Sequence, residues 1–301
     1  MDSDKLLCSK LESLIFKDLG NRGISSCFIP ECLYNSAISI INSDKIKPSY
    51  ILTGFCCMNG TCETDGPLGS VVLCSILKYM KYNTILLTDE YSNKVLSSIR
   101  DNNKILIVND IYQDNNKTLK KEFLEENISF IISCERPALS EKNNMYCTMR
   151  AKNISNVTGN LDLLFPVNNN KKKYLTIGIG DGGNEVGTGI IKDKVKINVP
   201  MGVEICTNSY CDYLIMAGVS NWGAIALAAS LSILSNDKNI GNYMINLIRK
   251  QSSMLDIILE NGSYDGCSGE KVRKVDGMFC DNEHTLLNKE IIKIIQEKYK
   301  L

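Results

Sequence analysis

An alternation along the chain constrains its fold more than any single motif. After position 48, short aliphatic and β-branched runs recur: "SYILTGF" (49–55), "TILLTD" (84–89), "KILIVND" (104–110) and "ISFIISC" (128–134), each bounded by polar or turn-forming residues. Each run has the length of a strand and stretches of helical length lie between them, the pattern of successive βαβ units. Runs that are apolar at almost every position belong to strands buried on both sides. The sheet is therefore expected to be mostly parallel with helices on both faces, a three-layer α/β/α arrangement. "KYLTIGIG" (173–180) and "DYLIMAG" (212–218) continue the series as buried strands, and 221–234 reads as a helix.

The ends read as helical extensions of this core. Leu6, Leu7, Leu11, Leu14 and Ile15 fall at helical spacing before Gly20, and a second helix is expected around 31–41, so residues 1–45 form a helical lead-in. Segments 243–260 and 288–299 read as closing helices. No repeat, linker or charge block divides the chain, so 1–301 is expected to be one α/β domain.

Composition excludes some classes of function. Lysines plus arginines equal aspartates plus glutamates at 34 each, so no overall field recruits nucleic acid or an anionic membrane. The longest apolar run, "WGAIALAASLSIL" (222–234), is too short to span a bilayer and suits a buried helix. The 13 cysteines are scattered through a long chain whose start lacks a secretory pattern, which predicts a reduced, cytoplasmic protein. The expected partner is a small molecule. A homo-oligomer stays open.

In open parallel sheets, ligands sit beyond the carboxyl ends of the strands, so the residues directly after each strand matter most. Behind 173–177 comes "GIGDGGNEVG" (178–187), in which Gly178, Gly180 and Gly183 satisfy the G-x-G-x-x-G of dinucleotide sites, with Glu204 near the distance of a ribose contact. Asp181 and Glu185 argue against a phosphate there, because like charges would meet where the pyrophosphate docks. A tight turn with capping acids also fits. Alternatively Asp181, Asn184 and Glu185, carried on the backbone of Gly182 and Gly183, face an amino group, a polarised water or a metal ion.

"ETDGPLGS" (63–70) offers two readings as well: Asp65 caps the helix that starts at the proline, or Glu63, Thr64, Asp65 and Gly66 stand beside free helix N–H groups able to hold a carboxylate or an oxyanion. Arg136 and Arg150 carry forks suited to a substrate carboxylate, or to structural ion pairs. The one histidine, His284, sits where a terminal helix begins and reads as a capping or surface residue. Cys56, Cys57 and Cys62 match no metal spacing and read as space-filling.

Taken in order, "TGF", "ETDGPLGS", "ERPA", "YCTMR", "IGDGGNEVG", "VSNWGA", "YDG" and "VDG" followed by His284 resemble the loops of the D-glutamate cyclase family. The resemblance covers roughly 49–287. Leu68, Ala138 and Ala151 stand where that family usually has proline, glycine and glycine, all positions of loop shape rather than of reacting groups.

What the resemblance implies is a lyase that converts D-glutamate to 5-oxo-D-proline with loss of water. Such a reaction needs a base for the amine, an acid for the departing hydroxyl, and a clamp that holds the folded conformer. On that scheme Asp181 or Glu185 is the base, Asp65 the acid and Arg136 the clamp on the α-carboxylate, with Arg150 nearby and Asn184, Thr64 and Asn221 orienting the substrate. No cofactor is predicted. The acidic cluster leaves a divalent cation open. A non-catalytic sensor of acidic amino acids and a nucleotide-dependent α/β enzyme are the alternatives.

Overall fold

The computed structural model describes residues 3–57, 60–112, 127–168 and 170–300. Six strands form one sheet: β1 (Ser49–Thr53), β2 (Thr84–Thr88), β3 (Ile105–Ile107), β4 (Phe130–Cys134), β5 (Leu175–Gly180) and β6 (Tyr213–Met216). All five pairings are parallel and the order is β3-β2-β1-β4-β5-β6. The expected parallel α/β sheet is therefore present. The chain first builds outward from β1 to β3, then returns to the other side of β1 as β4. This reversal opens a crevice between the carboxyl ends of β1 and β4.

Side chains alternate between two cores, as the period of a strand requires. Ile51, Phe130, Ile132, Ile177, Ile179 and Ile215 face one, while Tyr50, Leu52, Ile131, Leu214 and Met216 face the other. The first core is closed by the long helices α1 (Ser3–Ile15), α2 (Cys32–Ile41), α3 (Pro67–Tyr79) and α4 (Glu90–Ile99). The second is closed by shorter pieces, among them α5 (Lys192–Asn198), α6 (Gly202–Ile205) and the turn Ile24–Cys27.

At the centre of the first layer lies α7 (Ser220–Leu234), buried at every position through Ile233. A helix that is apolar or small all round has no face to give to water, so it packs against neighbours on every side. No helix among the described residues is long and apolar enough to cross a membrane. The expected closing segment 243–260 is divided into α8 (Lys238–Arg249) and α9 (Gln251–Glu260), followed by α10 (Thr285–Tyr299). The helix expected between β3 and β4 falls on 113–126, outside the described residues.

The two chain ends are tied together by Lys298 to Asp4 at 2.7 Å and Lys10 to Glu297 at 2.8 Å. Strand β1 stops earlier than its apolar run because Gly54 turns the chain at φ 116, where an added Cβ would lie 2.3 Å from the Ser92 hydroxyl. Glycine alone fits there. That turn sends the next residues across the top of the sheet.

Candidate active site

The crevice at the reversal is a cavity of about 430 Å³. Its acidic lining comes from three strand ends and one distant turn: Glu63 after β1, Glu135 after β4, Asp181 and Glu185 after β5, and Asp276 in the turn between the short strands Lys274–Val275 and Met278–Phe279. All five of these carboxylates are less than one-tenth exposed. Glu135 takes a left-handed backbone at φ 48, and Asp276 does so at φ 55. Such strain in non-glycine residues persists where surrounding structure over-determines it, often at functional sites.

The loop after β5 folds around its own glutamate. Glu185 Oε1 accepts from the backbone N–H of Gly182 at 2.6 Å and of Asp181 at 3.2 Å, while Oε2 accepts from Gly183 at 2.7 Å. Those are the amides that a pyrophosphate would need. The glycine pattern 178–183 is thus a carboxylate-filled turn, which removes the structural basis of the nucleotide reading. Glu185 is equally ill suited as a base, since both its oxygens are engaged. Gly183 sits at φ 96, where an added Cβ would press on Val195.

Asp65 and Asn221 exchange caps between two helices. Asp65 accepts from the N–H groups of Ser220 and Asn221, each at 2.8 Å, at the start of α7. Asn221 Oδ1 accepts from Gly66 at 3.1 Å and Gly69 at 2.7 Å, at the start of α3, and its amide donates to Thr64 O at 3.0 Å. Asp65 therefore caps a helix far along the chain rather than its own. Of the N–H groups expected to form an oxyanion hole, that of Gly69 is taken by Asn221 and that of Ser70 by Gly66 O. Neither Asp65 nor Asn221 lines the large cavity. Thr64 is also engaged, donating to Lys274 O at 2.9 Å. Gly66, at φ 94, lets Thr53 and Glu135 approach closely, since an added Cβ would stand 2.8 Å from each.

Arg136, expected to clamp the substrate, is fully buried away from the cavity. Its Nη1 meets Asp89 Oδ2 at 2.6 Å and Gly54 O at 3.0 Å, and its Nη2 meets Gly159 O at 2.6 Å. The fork is a structural pin. Arg150 does reach the cavity, on its exposed rim, together with Lys152.

The partly buried cation of the cavity is Arg22, which the sequence pattern did not single out, any more than it did Glu135. Arg22 Nη1 pairs with Asp181 Oδ1 at 2.6 Å and Nη2 with Asp276 Oδ1 at 2.8 Å. With both aspartates ionised, Asp181 Oδ2 and Asp276 Oδ2 find no donor among the described residues, and neither does Asn184 Oδ1, whose amide is tied to Cys147 O at 2.8 Å.

Burial and like charge drive most of these carboxyls toward their protonated forms. Burial, reinforced by Asp276 and Asp65, holds Glu63 well above the ordinary range. Burial with Glu185 and Asp65 does the same to Glu135. Asp65 is pushed up to about 8 by burial and Asp276, against the pull of its backbone donors. Asp181 is raised by burial although Arg22 opposes the shift. Asp276 goes the other way, because Arg22 and donation from its protonated neighbours outweigh burial. A cavity holding both charged and uncharged carboxyls can accept and donate protons at neutral pH.

Two carboxylate groupings, Asp65 with Asp181 and Asp276, and Glu135 with Asp181 and Glu185, bring oxygens within 4.8 Å. They do not fit a resident metal in this arrangement. Asp65 and Glu185 each hold backbone donors, and the Arg22 guanidinium bridges Asp181 and Asp276. The neutralising charge is already supplied by the protein.

His284 corrects the surface expectation. It is buried, its Nδ1 accepting from Trp222 Nε1 at 2.8 Å and its Nε2 lying 3.2 Å from Val275 O, so Nε2 carries the proton. Burial lowers its pKa, consistent with a neutral ring. Cys56 and Cys62 are buried as expected of space-filling thiols. Cys57 instead lines the cavity and donates to Glu63 Oε2 at 3.3 Å.

A parallel α/β sheet with an acid-lined cavity at its strand-order reversal defines a structural class. Within that class this chain belongs to the D-glutamate cyclase-like C-terminal family, which matches residues 11–292. It is 26% identical over 319 aligned positions to the human protein D-glutamate cyclase, mitochondrial, an alignment covering 95% of this chain and 51% of that one. The chain thus spans about half the length of the curated relative it matches. A solved exopolyphosphatase-related protein from Bacteroides fragilis aligns with 90% of this chain and 60% of its own at 10% identity and a TM-score of 0.39.

Proposed function

We propose that this protein closes D-glutamate to 5-oxo-D-proline, releasing water. The amine nitrogen forms a bond to the side-chain carboxyl carbon and one carbon–oxygen bond of that carboxyl breaks. Two protons leave the ammonium and two leave with the departing oxygen, so the cavity has only to relay them. Asp181 is suited to receive the first, because it lines the cavity and Arg22 opposes the rise that burial imposes on its carboxyl. Glu135, pushed toward its protonated form by burial and neighbouring acids, is suited to give a proton to the departing hydroxyl. Both line the same cavity, with the rim cations Arg150 and Lys152 available to the substrate carboxylates.

The observation that carries this reading is Asp181 with one oxygen fixed by Arg22 and the other, when ionised, without a donor among the described residues, in a pocket lined by other buried acids. Family membership supports the substrate. Chiral chromatography of the purified protein incubated with D-glutamate tests it. The expected result is catalytic accumulation of 5-oxo-D-proline. Thermal stabilisation by D-glutamate without any product would instead indicate a binding protein.

A further inference from the structure

We infer that Arg22 is a positioning residue for Asp181: delivered by the loop after α1, it fixes the Asp181 carboxyl in the cavity and favours its charged form against the surrounding acids. This rests on the proposed cyclase reading for its kinetic consequence, and on the geometry alone for its electrostatic one. Arg22 lies outside the strand-and-loop core, yet its side chain reaches two separate cavity elements, Asp181 after β5 and Asp276 in the distal turn.

The delivery is built rather than incidental. Asp18 accepts from the backbone N–H groups of Arg22 at 2.7 Å and Gly23 at 2.9 Å, which sets the loop. Gly23, at φ 83, lets the loop sit against Asn198 O, where an added Cβ would come within 2.0 Å. The end of α1 is anchored in turn by Gly218, which donates to Ile15 O at 2.8 Å. The guanidinium also approaches Cys267 Sγ at 3.6 Å.

Its charge matters because of what else faces Asp181. Asp276, Glu135, Asp65 and Glu185 all crowd the same carboxylate, and the other cations on the cavity, Arg150 and Lys152, are exposed at the rim. Without Arg22, Asp181 would have only acids for close ionisable neighbours, and a carboxylate in that company takes up a proton. A protonated Asp181 cannot receive the substrate's proton. Two hydrogen-bonded aspartates also make a fork geometry that lysine cannot reproduce with both contacts at once.

The test compares wild type, Arg22→Gln, Arg22→Lys and Arg22→Ala, each checked for a native thermal melt. In proteins labelled with ¹³C at aspartate carboxyls, the Asp181 resonance, assigned by its loss in Asp181→Asn, should titrate at a pH higher by about one to three in Arg22→Gln, with Arg22→Lys in between. This readout needs no activity, so it survives a failure of the cyclase reading, which the wild-type product assay reports separately. With D-glutamate as substrate, kcat/KM of Arg22→Gln should fall by about 100-fold or more and its acidic limb should move to higher pH. Guanidinium chloride at millimolar concentration should restore part of the Arg22→Ala rate. If Arg22→Gln fails to fold, Arg22→Lys and Asp18→Asn carry the same titration. An Asp181 titration unmoved by the loss of Arg22, or a rate loss with no change in the pH limb and no guanidinium rescue, overturns the inference.

Discussion

Arg136 and Arg22 each hold an aspartate oxygen at 2.6 Å, yet their surroundings give the two pairs opposite uses. Around Arg136 the two terminal nitrogens also donate to the carbonyls of Gly54 and Gly159, and Asp89 caps α4 by accepting from Ser92 N–H at 3.0 Å. The pair locks three loops and leaves its charges no access to a ligand. Around Arg22, one oxygen of each aspartate is held and, with both ionised, the other finds no donor among the described residues. What separates a structural ion pair from a reactive one here is the fate of the second oxygen, and no distance within the pair reveals it.

The largest effect expected from this contrast is on rate. Asp181→Asn keeps the shape of the cavity but removes the proton acceptor, so turnover of D-glutamate should fall by about 10²- to 10⁴-fold while the urea midpoint stays near that of wild type. A large fall in stability with unchanged rate per folded molecule would move Asp181 into the same role as Arg136. For the structural pair the expectation reverses. Arg136→Met leaves Asp89 buried and uncompensated, which should cost about 3–5 kcal/mol in chemical denaturation, with activity per folded molecule within a few-fold of wild type. Loss of activity at intact stability would restore Arg136 as a substrate clamp.

A smaller effect concerns pH. Asp65 has its folded pKa raised to about 8 from 3.8, and Glu63 and Glu135 are raised as well. An acid whose folded value lies above its unfolded one binds more protons when folded. Its contribution is greatest below the unfolded value and is lost as pH rises through the folded one. The urea midpoint should therefore decline from about pH 6 to about pH 9. A midpoint that rises over that interval would mean that the cavity acids are ionised throughout, and the contrast between the two arginines would lose its electrostatic half.

Much of the fold was legible because its signal is local. Runs such as "SYILTGF" and "ISFIISC" are apolar on both faces whatever surrounds them, and all six expected strands are present, with ends trimmed where Gly54 or Asp89 redirects the chain. The loops that build the cavity were also visible, because acids and glycines come directly after those strands. Which side chain does what was not, because roles here are set by partners far apart in sequence. Asp65 meets Ser220 and Asn221, Arg136 meets Asp89, and Arg22 meets Asp181 and Asp276.

Glu135 stands beside Arg136 in "ERPA", where the arginine is the more obvious partner for a carboxylate. Asp276, in the Asp-Gly pair of "VDG", signals a turn first and a rim residue second; it is in a turn, at φ 55, and lines the cavity. For Arg22 the only local hint is a lone arginine in the turn-rich "DLGNRG", too common a context to single out.

The central claim is that the acid-lined crevice expels one oxygen of a substrate carboxyl as it closes the ring. D-glutamate carrying ¹⁸O in both oxygens of its side-chain carboxyl, analysed by mass spectrometry of the purified product, tests this most directly. The account predicts 5-oxo-D-proline retaining a single ¹⁸O, with the other recovered in water. Recovery of unchanged, doubly labelled D-glutamate after prolonged incubation with well-folded protein would contradict it.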